Sequence, residues 1–555
     1  MMKAVGITKG PGETPHEYTF ISSDEDQILK TGEYVWYALS AGGGEQRVLG
    51  RITERRSVQQ YPDTFLAEPS VPPAEVAALV GFDRSANDLF ELRVDIMGYY
   101  DVQFGAFINP WIPPQSGRPI YLADDAMLAH VLSKREQGAI GSAHLGDLLT
   151  RAPGAVPIII DVRELVSTHL AIIASTGAGK SYLAGVLIEE LLRSYNRAAV
   201  VIIDPHGEYG TLTGLANHDE FTAQAPNGRE VYRPATRIFR HDQVKVRIST
   251  LTLGDMRYLL PEMTDKQQAL LAKGFKLVRD KHKGQQWDGR DLIRAIKESA
   301  GGEEGERDDT TTVGALEWKI EQRFVDNDMT FSPSHHLELR EICQPGQCTV
   351  LQINEIDERD QQVIVATVLR RIYDARRATD RDKVHAGDEK YLPYPVFILV
   401  EEAHHFAPSG TEVVSTRVLK EVLAEGRKFG MGVGLISQRP GKLDADVLSQ
   451  CQTQCIMRIV NELDQKTVAT AVESVGHELL RNLPALSKGQ VIVAGSAVNT
   501  PVLCRVRPRI TKHGGESHDA PAKWQAYFAH ESVADRARTD AITLRNDTGP
   551  RLYRE

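Results

Sequence analysis

The chain has 555 residues, 41% of them hydrophobic and 25% charged, with a formal net charge of -10. That length exceeds a single hydrophobic core and predicts two to four domains. No apolar run approaches a membrane span, the first residues lack a signal peptide's apolar core, and the acidic balance excludes a protein coated by nucleic acid but not one carrying DNA through a local basic channel.

Residues 1 to about 130 hold short candidate strands, among them GEYVWYALSA from Gly32, RVLGRITERRSV from Arg47 and LFELRVDIMGYY from Leu89. The proline-rich stretch LAEPSVPPAEVAAL between them is a poor strand former. Many short strands with irregular turns predict a small β-barrel domain, with assembly or docking as its expected task.

From about Val156 the pattern changes. IIIDV, LAIIA, AVVIID, CTVLQI, VFILVEE, GVGLIS, CIMRIV and VIVAG are nearly all-apolar and mostly separated by helix-length segments. This predicts buried strands of a largely parallel sheet, an α/β fold over residues 131–510, which the motif at Ser175 to Ser181 makes a RecA-like P-loop ATPase core. Residues 253–346 interrupt the spacing. DKQQALLAKGFKLVRDKHK and VGALEWKIEQRF read as helices and GGEEGERDD as a polar, solvated loop, so a helical insertion is expected. Residues 511–555 read as a C-terminal arm ending in a segment of helical potential.

The strand LAIIA leads into Ser175, Thr176, Gly177, Ala178, Gly179, Lys180, Ser181 and Tyr182, where a helix begins. Small residues let the loop curl around phosphates, with backbone amides and the helix N-terminus facing the negative charge. Lys180 would reach the β- and γ-phosphates of ATP and Ser181 would hold Mg²⁺. Ala174 stands where such loops place their first glycine, a departure that weakens the match.

VFILV delivers Glu401 and Glu402 at a strand end, with Glu401 expected at the metal and Glu402 as general base. AVVIIDPHGEYG puts Asp204, His206 and Glu208 on the same rim, with Asp204 expected to help hold Mg²⁺. Downstream, Gln438 is placed to sense the γ-phosphate or orient water. Arg427 could enter the site of the next subunit as an arginine finger, which requires a closed assembly. The five cysteines are spaced against a zinc site: Cys343 and Cys348 are five apart, Cys451 and Cys455 four apart, and Cys504 stands alone.

In HLAIIASTGAGKS, VIIDPHGEY, ILVEEAHHFAP, EGRKFGMGVGLISQRPGKLDADVLSQCQTQCIMRIVNELDQ and RPRITKHGG the chain resembles the HerA family of hexameric DNA translocases, within the HerA/FtsK group. The β-rich N-terminus is similar to the HAS barrel of these proteins. The resemblance implies a homohexameric ring with ATP sites between subunits, double-stranded DNA passing through its centre and a C-terminal arm bracing a neighbour. It implies Lys180 and Ser181 in phosphate and Mg²⁺ binding, Glu402 in hydrolysis, Arg427 as the trans finger and Gln438 as the sensor. It also implies a partner: a NurA-like nuclease in DNA end resection and double-strand break repair, or a Sir2-like or nuclease effector in anti-phage defence. An ATP-gated scaffold for such an effector is a third reading. Thr168 stands where relatives often carry an arginine, which leaves Arg427 as the basic trans contact.

The DNA-facing residues have two sets of candidates. One is the basic run Lys266, Lys273, Lys276, Arg279, Lys281 and Lys283; the other is the loops after Pro408 and from Arg439 to Lys442.

Overall fold

The computed structural model describes residues 4–10, 14–24, 26–41, 44–58, 89–101, 103–104, 106–224, 231–300, 310–326, 330–472, 477–514 and 519–530. Residues 1–512 form one compact unit and 513–555 a second, in which the helix Ala520–His530 is described. The proline-rich stretch, the acidic loop GGEEGERDD and the tail beyond His530 lie outside the described residues.

The N-terminal strands close into a barrel. In sheet order they are Glu17–Ser22, Ala4–Thr8, Pro119–Leu122, Tyr34–Ala41, Gly44–Val58 and Leu89–Asp101, and the last pairs back onto the first. Side chains alternate along Glu17–Ser22, so Tyr18 and Phe20 join Val35, Tyr37, Ile52, Leu92 and Val94 in the interior. Closure removes the exposed sheet edges that these short strands would otherwise carry.

A second sheet of eleven strands forms the core of the larger domain. Seven run parallel, in the order Ala235–Phe239, Gln347–Gln352, Ala199–Asp204, Val396–Val400, Met431–Ser437, Leu170–Ile173 and Thr453–Ile456. Gln490–Gly495, Val502–Val506, Ser142–Leu148 and Pro157–Asp161 extend it antiparallel. The largely parallel expectation therefore holds for the centre, while IIIDV and VIVAG lie in the antiparallel wing. Burial on both faces makes either kind of strand a continuous apolar run, so composition does not report direction.

The insertion is helical, with Leu253–Leu259, Asp265–His282, Gly289–Ala300 and Thr310–Phe324. Thr252 and Thr264 cap the first two helices through reciprocal capping boxes with Asp255 and Gln267. Leu270, Phe275, Val278, Leu292, Ile296, Leu316 and Ile320 bury the insertion's apolar faces against one another and the core. The barrel docks through a shared apolar cluster, in which Tyr34, Trp36 and Leu49 meet Leu128 and Ile158, and through Arg151, which donates to Glu33 at 2.8 Å. No helix among the described residues is long and apolar enough to cross a membrane.

Candidate active site

The phosphate loop emerges from the C-terminal end of Leu170–Ile173, at the rim where parallel sheets present ligands. Gly177 and Gly179 take φ of +79° and +107°, values that disfavour a side chain, and a Cβ on Gly177 would meet open space. The helix Lys180–Leu191 starts without a side-chain cap, leaving its first amides directed at the loop. Ala174 is not among the residues at positive φ and is fully buried, so the missing first glycine does not strain this loop.

The helix is anchored from behind. Arg507 pairs with Glu189 at 3.0 Å and Glu190 at 2.8 Å, both acids being buried. The Arg509 guanidinium lies against Gly185, where a Cβ would sit 2.6 Å from its Cζ. The Tyr182 hydroxyl accepts from the Arg509 amide at 2.6 Å. Tyr182, expected at the nucleotide, is thus engaged with this segment.

Opposite the loop, Glu401 and Glu402 end Val396–Val400 and are 2% exposed. One strand, Met431–Ser437, separates theirs from the phosphate-loop strand and carries Gln438 at its end. Lys180 Nζ lies between the two carboxylates, 3.1 Å from Glu401 and 3.0 Å from Glu402. Burial acts to lower the Lys180 pKa, but the two acids outweigh it and the net shift is upward.

Glu402 adopts φ +49°, a strained backbone state for a residue with a side chain. Gln438 Nε2 donates to its Oε1, and the Thr176 hydroxyl donates to Gln438 Oε1 at 2.6 Å. A continuous link therefore runs from the phosphate loop to Glu402. Glu402 Oε2 is buried without a hydrogen-bond donor, although His404 Nδ1 lies 3.3 Å away. Burial lowers the His404 pKa to about 4, so that ring is neutral near pH 7. Burial raises the Glu402 pKa, yet His206, Lys180 and Gln438 together bring it well below the usual carboxylate range.

The Asp204 carboxylate accepts from the amides of His206, Gly207, Glu208 and Tyr209 at 2.8–3.3 Å, and the residue is fully buried. Both oxygens hold the turn after Ala199–Asp204. The residue that this turn delivers is Tyr209, absent from the sequence reading, whose buried hydroxyl donates to Glu401 Oε1. Its position five residues past a strand-end acid was the available signal. Ser181, next to Lys180 in the chain, and Glu401 are both buried and offer a hydroxyl and a carboxylate of the kind that Mg²⁺ takes.

Arg427 lies elsewhere. It is exposed in the turn Gly426–Phe429 that precedes Met431–Ser437, at the opposite end of the strand from Gln438. The two loops considered for DNA meet: Pro408 bridges to Leu443, and the Ser409 amide donates to Lys442 O at 2.8 Å. The basic helix is divided, since Lys281 pairs with Glu298 while Lys276 and Arg279 line a cavity.

Residues 143–372 match the family model described as the central domain of helicase HerA. The DNA double-strand break repair helicase HerA of Pyrococcus furiosus is 30% identical over 550 residues, covering 91% of this chain and 92% of that protein. The probable helicase MJ1565 of Methanocaldococcus jannaschii is 28% identical over 445 residues, 79% of each chain. The solved VirB4 of Thermoanaerobacter pseudethanolicus is 14% identical and superposes with a TM-score of 0.47, over 67% of this chain and 98% of that one.

Proposed function

The chain belongs to the HerA helicase family, and from that premise we propose how its residues perform ATP-driven movement on DNA. It is an ATP-hydrolysing DNA translocase or helicase. In our reading, residues Ser175 to Tyr182 form the nucleotide cradle. Lys180 and the uncapped helix face the phosphates, and Ser181 and Glu401 hold Mg²⁺. When bound, that ion neutralises phosphate charge. Glu402 is the general base, and its unpartnered Oε2 is the atom that accepts the proton of the attacking water.

The carboxylates bracketing Lys180 suggest why hydrolysis waits for nucleotide. Held by His206 and Lys180, Glu402 is too acidic to be an effective base. Phosphates that draw the ammonium away remove its share of that influence, and the basicity of Glu402 rises. Gln438 stays in contact with both the loop and the base, which suits a sensor of loop occupancy.

Arg427 completes the site of a neighbouring subunit in a homohexameric ring. Its exposure at the far end of its strand supports this role. Double-stranded DNA is tracked by the joined loops of Ser409 and Arg439 to Lys442, the second of which begins directly after Gln438. The break-repair names of the relatives support a task in double-strand break repair, which we place at DNA ends beside a nuclease.

The observation carrying this reading is the buried Glu402 carboxylate, whose Oε1 meets the phosphate-loop lysine while its Oε2 has no hydrogen-bond partner. Its test is Glu402→Gln, measured for ATP binding, steady-state turnover and displacement of a roadblock on duplex DNA. Binding should persist while turnover falls about 10²-fold or more and displacement stops. Turnover within a few-fold of the parent would remove Glu402 from the base role.

A further inference from the structure

A cavity of about 910 Å³ lies where the helical insertion meets the helix Glu358–Asp380. It is separate from the phosphate loop and shares none of that loop's residues. Six cationic side chains and three carboxylates line it, so its charge balance is opposite to that of the whole chain. Such a volume suits a ligand of nucleotide size, and the excess of cations calls for an anion.

The deep wall carries groups that the protein leaves unmatched. Arg371 has no carboxylate within ion-pair distance among the described residues; its NH1 donates to the Leu337 carbonyl at 2.7 Å. Burial lowers its pKa to about 10, a measure of the cost of keeping this cation away from water. Arg247 beside it is only 11% exposed; it pairs with the half-exposed Glu389 at 3.7 Å and its NH2 lies 3.3 Å from His336 Nε2, but its Nε is buried without a partner. The Thr367 hydroxyl, on a residue 2% exposed, also has no partner. Buried polar groups are normally satisfied, and two unsatisfied ones beside an arginine without an ion pair point to a ligand with several acceptor oxygens. Two guanidinium groups match a phosphoryl group in shape and charge. Trp287 and Phe275 add an aromatic section to the lining, against which a planar ring can pack.

We propose that this cavity binds a nucleoside phosphate, with Arg371, Arg247 and Thr367 on the phosphoryl group and Trp287 near the base. Lys276 and Lys390 at the exposed rim contribute attraction at longer range. The same chemistry can arrive as a free nucleotide or as a phosphorylated nucleic-acid end.

Calorimetric titration of the full chain with AMP, and separately with a 5′-phosphorylated oligothymidylate, tests the site. Saturable binding of at least one probe is expected. It should weaken about tenfold or more in Arg371→Gln, and also in the paired surface change Lys276→Ala with Lys390→Ala, which leaves the buried wall intact. It should persist in Lys180→Ala, so the outcome is independent of the ATP site. Binding of the oligonucleotide alone, lost in the same variants, would support the site and assign the phosphate to a strand end. Absence of saturable binding by either probe would overturn the proposal. So would binding abolished by Lys180→Ala and unchanged in both cavity variants.

Discussion

Tyr209→Phe tests whether the turn after Ala199–Asp204 serves catalysis or merely folding. The change removes one hydroxyl and preserves the ring, which is 1% exposed. Glu401 Oε1 then loses its donor while Oε2 keeps Lys180 at 3.1 Å. A hydrogen bond to a charged group is worth about 1.5–3 kcal/mol, so an unanchored Glu401 should lower kcat by about 10- to 100-fold. The ATP KM should move little, because the phosphate loop is untouched, and the Mg²⁺ concentration giving half-maximal activity should rise. A purely structural Tyr209 would lower stability and leave the Mg²⁺ dependence unchanged. The assay is steady-state ATPase at several fixed Mg²⁺ concentrations, with urea denaturation alongside. A kcat within twofold of the parent at an unchanged Mg²⁺ optimum would refute the positioning role.

Three further outcomes follow from other parts of the fold. His169 is 2% exposed; burial lowers its pKa from 6.5 to about 4, offset in part by the Leu423 carbonyl and reinforced by Arg427. The unfolded chain binds this proton first on acidification, so stability is lost as pH falls below about 6.5, by about 2 kcal/mol at pH 5; His404 acts in the same window, so the measure is the flatter urea-midpoint profile expected of His169→Gln. Gly185→Ala should destabilise despite the usual gain of about 1 kcal/mol for alanine in a helix, because its Cβ would sit 2.6 Å from the buried Arg509 Cζ; a raised urea midpoint would show that the arginine yields freely. Arg427→Ala should preserve ATP binding and silence turnover, and mixed rings with Lys180→Ala subunits should recover part of it; verified mixed rings without recovery would count against a shared site.

The sequence reveals the central strands because burial on both faces leaves them almost wholly apolar, as in AVVIID and VFILV. Ala235–Phe239 is hidden by the same logic. It lies at the sheet edge with alternating exposure, and ATRIF lacks a continuous apolar run. Lys180, Glu401, Glu402 and Gln438 are legible because loop and strand-end chemistry restricts residue type, and the structure brings all four together. Asp204 reads ambiguously for a related reason: a strand-end acid has the same appearance whether it faces a cation or four backbone amides. Tyr209 carries only a weak local mark, its place five residues past the strand-end acid, since its meaning lies in a contact to Glu401, 192 residues away.

The strand Met431–Ser437 links the two ends of the proposed mechanism. At its C-terminal end Gln438 touches Glu402, and just before its N-terminal end the turn presents Arg427 to solvent. Seven extended residues span about 23 Å, so the strand reaches from the subunit's own site toward the surface assigned to its neighbour. It has little freedom to bend. A Cβ on Gly432 would fall 2.6 Å from the Val166 carbonyl oxygen, and one on Gly434 would fall 2.7 Å from Leu399 Cδ1. The missing side chains let the backbone of the helix Val162–Thr168 and the Phe397 and Leu399 side chains of the neighbouring strand lie close against its backbone. A strand held this closely moves with its neighbours as a body. On the trans assignment of Arg427, a shift that repositions Gln438 in one site therefore also repositions the arginine offered to the next, and adjacent sites are coupled through packing alone.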